Sequence, residues 1–469
     1  MATATLSKSF SSAQSRFIIN KKTRVHWGIK DISQGLMLRT ISRKAYEYLR
    51  KNKILPLPAV STLRLWIKKF RCRPGLQTSI LKIIKQKISS ETDPQFAVAS
   101  LSFDEMHILK EYQYDQRNDQ IIGPCQKMQV VVARGIISNW KQQIFFDFDK
   151  PMTAVLLKSI VSAAEEHNIH VWSVCCDLGN HGLLNSLGVT PEKPFFQNPC
   201  DAERRVYVFP DAPHLLKLLR NHLLDHGFTL SDGTEISRLD IEKILEMDSG
   251  ELKIHHKLLP IHFTCKNSTR QRVRLAAQLL SHTTATAVRC LLPDKTNLAD
   301  WIDLFDAWFD ILNSRIPCHT NKMACGFGIH LEEQSAILAQ VKMVVGSMRR
   351  KNKATLLPFQ TGILISLEAL NCLFNDLKAR YKVKFILTSR LNQDPVENTF
   401  SQIRGMGSSH PGPVDCANRL RLLLLGKNCQ AVVENPAVAF EPDDASSCNF
   451  DTGTILMNDV TSTILADQA

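Results

Sequence analysis

The stretch Val98-Ala-Ser-Leu-Ser-Phe-Asp-Glu-Met-His-Ile108 places two adjacent carboxylates inside an otherwise apolar run. Val98, Leu101, Phe103 and Met106 read as a short buried strand. Side chains alternate across a strand, so Asp104 and Glu105 point to opposite faces. One of them must face whatever covers that side of the sheet, and a buried carboxylate is costly unless it is paired or bound to a metal. Two arrangements satisfy this: an edge strand with both acids in water, or an inward acid with a cationic partner. The other segments of the chain weigh on the choice.

With 469 residues and 44% hydrophobic content, the chain can form two to four domains with real cores. No run of eighteen apolar residues exists, so no membrane span is expected. The N-terminal Ser/Ala-rich segment lacks the apolar centre of a secretory signal. Thirteen cysteines without a repeated spacing suit reduced thiols in the cytosol or nucleus. The charge is uneven. Residues 1–90 hold 20 Lys and Arg against Asp31 and Glu47, a balance of +18, whereas the whole chain is +13 and residues 91–469 therefore sum to −5. Beyond Gln430 there are seven acids and no Lys or Arg. A basic head of this kind suits a polyanion such as DNA, or is a solvated tail.

Residues 1–35 are expected to be disordered, and folded structure to begin near Ile41. Ser42 is placed to cap a helix running to Lys51, and Ser61 a second carrying Leu63, Leu65, Trp66 and Phe70. After the break Arg71-Cys-Arg-Pro-Gly75, Gln77 or Thr78 opens a third. With Lys68, Lys69, Arg71, Arg73, Lys82, Lys85 and Lys87 exposed, residues 36–92 read as a helix-turn-helix DNA-binding domain, with protein–protein contact as the other use of such helices.

From Val98 the pattern changes to strands: Gln126–Arg134, Gln142–Asp149, then a helix Pro151–His167. The run His170–Leu178 is continuously apolar, as in a buried parallel strand, and ends beside Asp177. A strand Arg205–Pro210 and a helix Ala212–His226 follow. The order β-β-β-α-β-α-β-α, with an acid on the first strand and another ending the fourth, is the layout of an RNase H-like α/β fold. First and fourth strands are neighbours there, so Asp104 and Asp177 would meet across about 5 Å. Carboxylates that close repel unless a cation lies between them, and Mg²⁺ suits hard oxygen ligands.

A third carboxylate is not found nearby. The next segments are mostly helical (241–247, 269–281, 296–313, 331–348 and 363–381) and read as an insertion. Val383–Thr388 then resumes a strand, followed by Asp394-Pro-Val-Glu397. Asp394 reads as an N-cap, with Glu397 either closing a capping box or aimed at the sheet. Cys318, His319, Cys325 and His330 lack the regular spacing of a zinc site.

Ser102–Met106, Phe209-Pro-Asp-Ala-Pro-His-Leu-Leu-Lys217, Arg270–Gln278, Trp308–Arg315 and Leu387–Asn398 together resemble the P-element transposase family, which includes THAP-type transposase-derived proteins. The resemblance runs from about Ile41 to Leu425. It implies a helix-turn-helix, then an RNase H-like mixed sheet (residues 93–228 and 361–425) interrupted by a helical GTP-binding insertion (229–360), and an acidic tail (426–469). It implies that Asp104, Asp177 and Glu397 are catalytic ligands of Mg²⁺ or Mn²⁺. It also implies GTP contacts from Lys257, Val273, Ser281, Asp310, Asn313 and Asp394, with Arg272 where the family usually has Lys. No Gly-rich phosphate loop marks that site, so a plain helical spacer is the alternative. The family's zinc finger has no counterpart, since the first cysteine is Cys72.

The chemistry implied is metal-dependent DNA strand cleavage and transfer. Two metal ions roughly 3.5–4 Å apart would serve the attacking and leaving oxygens. The basic residues Lys68, Lys69, Arg71, Arg73, Lys82 and Lys85 would hold DNA phosphates. A nuclear transposase acting as a homo-oligomer on DNA is one expectation. A truncated or host-retained copy that binds DNA or partners without cutting is the other, and a guanine-nucleotide-controlled assembly protein is a third.

Overall fold

The computed structural model describes residues 10–20, 25–68, 70–116, 118–248, 253–264, 266–351 and 353–434. It divides into two compact units, residues 1–71 with 428–469, and residues 72–427.

The first unit is helical: α1 (Ser12–Asn20), α2 (Ile29–Ile41), α3 (Arg43–Lys51) and α4 (Val60–Trp66). The expectation of disorder to residue 35 is corrected by α1 and α2. Ile32 and Leu36 of α2 are fully buried with Tyr46 and Leu63, so α2 supplies core that its polar flanks conceal. Ser42 caps α3 as expected, its hydroxyl accepting from the Ala45 amide at 3.1 Å. Ser61 does not cap α4; the cap position is Ala59, and Ser61 lies inside the helix. The Tyr46 hydroxyl donates to the Pro58 carbonyl at 2.7 Å, which fixes the extended Pro segment against α3.

The Pro-Gly break is not the turn of a helix-turn-helix. Beyond it, β1 (Gly75–Leu76) pairs antiparallel with a strand 70 residues on, and α5 (Thr78–Ser90) buries Ile80, Leu81, Ile83 and Ile84 in the second unit. Gly75, at φ +106°, and the Gln77 amide, which donates to Ile144 O, start this edge. The third helix thus belongs to the sheet domain, because its apolar face is completed there.

That domain contains β2 (Val98–His107), a hairpin of β3 (Gln113–Asp115) and β4 (Gln120–Ile122), then β5 (Lys127–Gly135), β6 (Lys141–Phe148), α6 (Ala154–Glu166) and β7 (His170–Cys176). α7 (His181–Leu187), β8 (Phe195–Asn198), β9 (Asp201–Pro210) and α8 (Ala212–His226) follow. The seven-stranded sheet has the order β1-β6-β5-β2-β7-β9-β8. β2 pairs antiparallel with β5 and parallel with β7, so the first and fourth strong strands are neighbours as the pattern predicts. β8 and the β3–β4 hairpin were not anticipated, being three or four residues long.

The insertion carries β10 (Phe228–Thr229), β11 (Glu235–Ile236), α9 (Arg238–Met247), α10 (Asn267–Arg270), α11 (Val273–Leu279), α12 (His282–Leu291), α13 (Thr296–Leu312), α14 (Leu331–Ser347) and β12 (Arg349–Arg350). The expected single helix 269–281 is broken at Gln271–Arg272. α12, rich in β-branched Thr, was missed, although Ser281 caps it. Trp301, Phe305 and Trp308 of α13 are buried in its core.

α15 (Pro358–Tyr381) returns to the sheet and packs along β9 and α8. The close approach needs Gly362, where a Cβ would stand 2.8 Å from Leu215 Cδ2. Val383–Thr388 does not form a strand. Only Ile386 makes a bridge, to Phe327, because Thr388 and Ser389 turn away to bond Ser314. α16 (Asp394–Gly405) and α17 (Pro413–Glu434) complete the chain, α17 being interrupted by non-helical φ/ψ at Asn428. Among the described residues no helix is long and apolar enough to cross a membrane, and the eleven described cysteines are free.

Candidate active site and nucleotide-binding insertion

Ser102 of β2 faces Cys175 of β7 in parallel register. Asp104 and Asp177 each lie two residues further along, at the carboxyl ends of adjacent strands and on one side of the sheet. Glu105 points away and pairs with Lys127 at 2.7 Å, the outward role expected for it. Burial pushes the Asp104 carboxyl up to about 6, and Asp177, Glu397 and Glu105 add to the rise by repulsion. Asp104 thus feels both of its expected partners.

Glu397 stands on the first turn of α16, which packs on β2 and β5. Burial, then Asp394, raises its pKa, while Lys217 opposes the rise. The helix start is fixed by a residue with no assigned role. Gln393 donates through Nε2 to the Phe103 carbonyl at 2.7 Å, and its amide donates to Asp211 Oδ1 at 2.9 Å. Gln393 O in turn accepts from the Glu397 amide. Asp394 is the first helical residue rather than the cap, and its amide is taken by Asn392 Oδ1 at 3.1 Å. A capping box from Glu397 to that amide is therefore not formed. Further along, Thr399 accepts from Gln143 of β6 at 2.7 Å and so seats α16 on the sheet.

Asp211 and Lys217 are missed by sequence reasoning, although both lie in the motif Phe209–Lys217. Asp211 ends β9 and caps α8, accepting from the His214 amide at 3.0 Å as well as from Gln393. Burial pushes its carboxyl up to about 7. The ammonium of Lys217 is shifted down by burial, against the attraction of Asp211, Glu397, Asp177 and Asp104. A Pro after an Asp in a strand-to-helix junction was the available signal for Asp211; nothing local marks Lys217.

Asp104, Asp177 and Glu397 offer hard oxygen donors that oppose one another's ionisation, the chemistry a divalent cation relieves. Among the described residues no three His, Cys, Asp or Glu side chains form a group that could hold a metal ion. The donor set fits such an ion in type, and the carboxylates stand within electrostatic reach rather than as a closed shell.

The residues expected at a nucleotide fall in two places. Lys257 and Arg272 line an open groove of about 290 Å³ with Arg274, His262, Gln278, Leu259, Ile261 and Leu275. Three cations over an apolar floor suit an anionic ligand carrying a flat ring. Val273 follows Arg272 as the first residue of α11. Ser281 is committed to capping, accepting from the Thr284 amide and donating to Gln278 O. Asp310, Asn313 and Asp394 gather elsewhere, where two of the recognised motifs meet. Asp310 Oδ2 accepts from Asn321, Asn392 bonds Asn313, and Asp394 pairs with Arg315 at 3.1 Å.

Of the cations expected at DNA, Lys68 and Arg71 lie in the first unit and Arg73, Lys82 and Lys85 in the second. Lys69 is outside the described residues. Arg73 donates to Asn118 at 3.1 Å, and Lys85 to Glu166 O at 3.0 Å; Lys82 is half-buried. They are not one continuous helix-turn-helix surface.

Residues 72–183 match a family model described as "TNP-like, RNase H N-terminal domain", and residues 213–325 one described as "TNP-like, GTP-binding insertion domain". The chain is 32% identical over 456 residues to the "Transposable element P transposase" of Drosophila melanogaster, covering 94% of this chain and 59% of that protein. It is 24% identical over 306 residues to human "DNA transposase THAP9", covering 58% of this chain and 33% of that one. It therefore spans less than two thirds of either relative. A solved structure titled "Drosophila P element transposase strand transfer complex" superposes with TM-score 0.84 at 31% identity, over 91% of this chain and 98% of that one.

Proposed function

Because the chain belongs to the P-element transposase family, we propose that it performs divalent-metal-dependent cleavage and transfer of DNA strands, with GTP as a cofactor. The observation that carries this reading is the mutual repulsion of acids brought from β2, the end of β7 and the start of α16, which raises Asp104 to about 6. Asp104, Asp177 and Glu397 would hold the metal. A cation bound there supplies electrophilic charge to the phosphate and activation of the attacking oxygen. The protein's own part is to hold the acids in place: Gln393 ties Glu397's helix to β2 and to Asp211, and Thr399 ties it to β6.

DNA would be held by Lys68, Lys69, Arg71, Arg73, Lys82 and Lys85 through phosphates, in the nucleus, by more than one copy of the chain. For GTP, Lys257 and Arg272 suit the phosphates, and Asp310 and Asp394 can accept from guanine N–H groups.

Nicking and strand joining of supercoiled plasmid by the purified chain, with Mg²⁺ or Mn²⁺, tests the reading. Activity that needs the metal and falls at least about a hundredfold in Asp104→Asn supports it. Undiminished activity in that variant overturns the three-carboxylate assignment. Calorimetry with GTP and Mg²⁺ tests the cofactor, and an absence of heat removes it.

A further inference from the structure

α8 grips the break between α10 and α11 with three consecutive donors on one side. Asn221 donates to the Arg270 carbonyl at 3.2 Å, and Arg220 to the Thr269 and Arg270 carbonyls at 3.1 Å. Lys217 differs from them. Its ammonium meets a side chain, Gln271 Oε1, at 2.8 Å. Lys217 is only 8% exposed, and among the described residues it makes no ion pair and no second hydrogen bond. A lysine this covered is held by a neutral amide while four carboxylates, Asp211, Glu397, Asp177 and Asp104, attract it from further away. α8 itself cannot shift freely, since its cap Asp211 is bonded to Gln393 at the start of Glu397's helix. Gln271 immediately precedes Arg272 of the cationic groove.

We propose that Lys217 is a resident counter-cation of the carboxylate cluster, positioned from the insertion by Gln271, and that it sets how tightly the cluster takes a divalent cation. The inference rests on the metal-binding reading above. A fixed positive charge within several ångströms of the acids disfavours a second cation, and at the effective dielectric of a partly buried site one such charge changes affinity about tenfold. Gln271 holds the ammonium short of the carboxylates, so the insertion controls the charge that the cluster presents. Lys217 is then a charge-balancing group and Gln271 a positioning residue; neither need touch DNA.

Mn²⁺ binding to the full chain, measured by calorimetry and by the loss of free Mn²⁺ signal in electron paramagnetic resonance, tests this without any turnover. Lys217→Gln is expected to bind Mn²⁺ about tenfold tighter, Lys217→Arg to stay within about twofold of the parent, and Gln271→Ala to shift affinity measurably with the charge retained. A merely structural lysine would lower thermal stability in both Lys217 variants and leave Mn²⁺ affinity alone. Parent-like affinity in Lys217→Gln, with Mn²⁺ still bound and Asp104→Asn weakening it, overturns the counter-cation role and leaves the metal site standing. No Mn²⁺ binding by parent or Lys217→Gln overturns the metal reading and this inference together.

Discussion

Asp211 illustrates how a single carboxylate can be indispensable without being a ligand. Both of its oxygens accept backbone amides, one from its own helix and one from Gln393. Asp211→Ala would strand two buried donors and is expected to cost about 2–4 kcal/mol in urea denaturation, whereas Asp211→Asn, which keeps one acceptor, should cost about half that. Asp306 on α13 makes a pH argument. Burial, then Asp310, raises its carboxyl to about 6 from 3.8, so between these values the folded chain binds more protons than the unfolded one. Stability therefore falls as pH rises through that window, by roughly 2 kcal/mol from this group. Asp306→Asn should remove that part of the slope, seen as a smaller difference between urea midpoints at pH 4.5 and pH 7.

At the scale of elements, α16 is informative because its sequence supports two readings. Asp-Pro-x-Glu fits a capping box, but the amide that Glu397 would have capped is taken by Asn392, and Gln393 does the anchoring. Gln393→Ala is expected to lower strand cleavage at least about tenfold while leaving far-ultraviolet circular dichroism unchanged, because it loosens the aim of one helix rather than a core. The return of the chain after the insertion depends on a backbone position. Gly328 has φ +112°, and a Cβ there would meet Phe374 Cζ at 2.5 Å and the Lys384 carbonyl at 2.8 Å. Gly328→Ala should therefore destabilise by about 2–3 kcal/mol in denaturant titration. Strand and helix positions from Val98 to His226 were legible because their apolar runs are long. The third helix was legible as a helix but not as part of the sheet domain, since its partner strand lies 70 residues away.

Over the whole molecule, the basic excess of residues 1–90 is divided at Arg71 between two units. DNA affinity should fall steeply with salt, and each of Lys68→Ala and Arg71→Ala should reduce the log–log slope by about 0.9 if that residue meets a phosphate. An unchanged slope in both variants would remove them from the DNA surface.

The residues alone determined the strand order that makes β2 and β7 neighbours, the pairing of Asp104 with Asp177, and the resemblance that picked out Glu397. These follow from local periodicity and from short motifs. Tertiary structure decided where α5 belongs, that Val383–Thr388 is not a strand, that the expected nucleotide contacts fall in two places, and that Asp211, Gln393, Lys217 and Gln271 surround the acids. Each of those depends on a partner far along the chain, as between Gln393 and Phe103, and no periodicity in either segment announces the other.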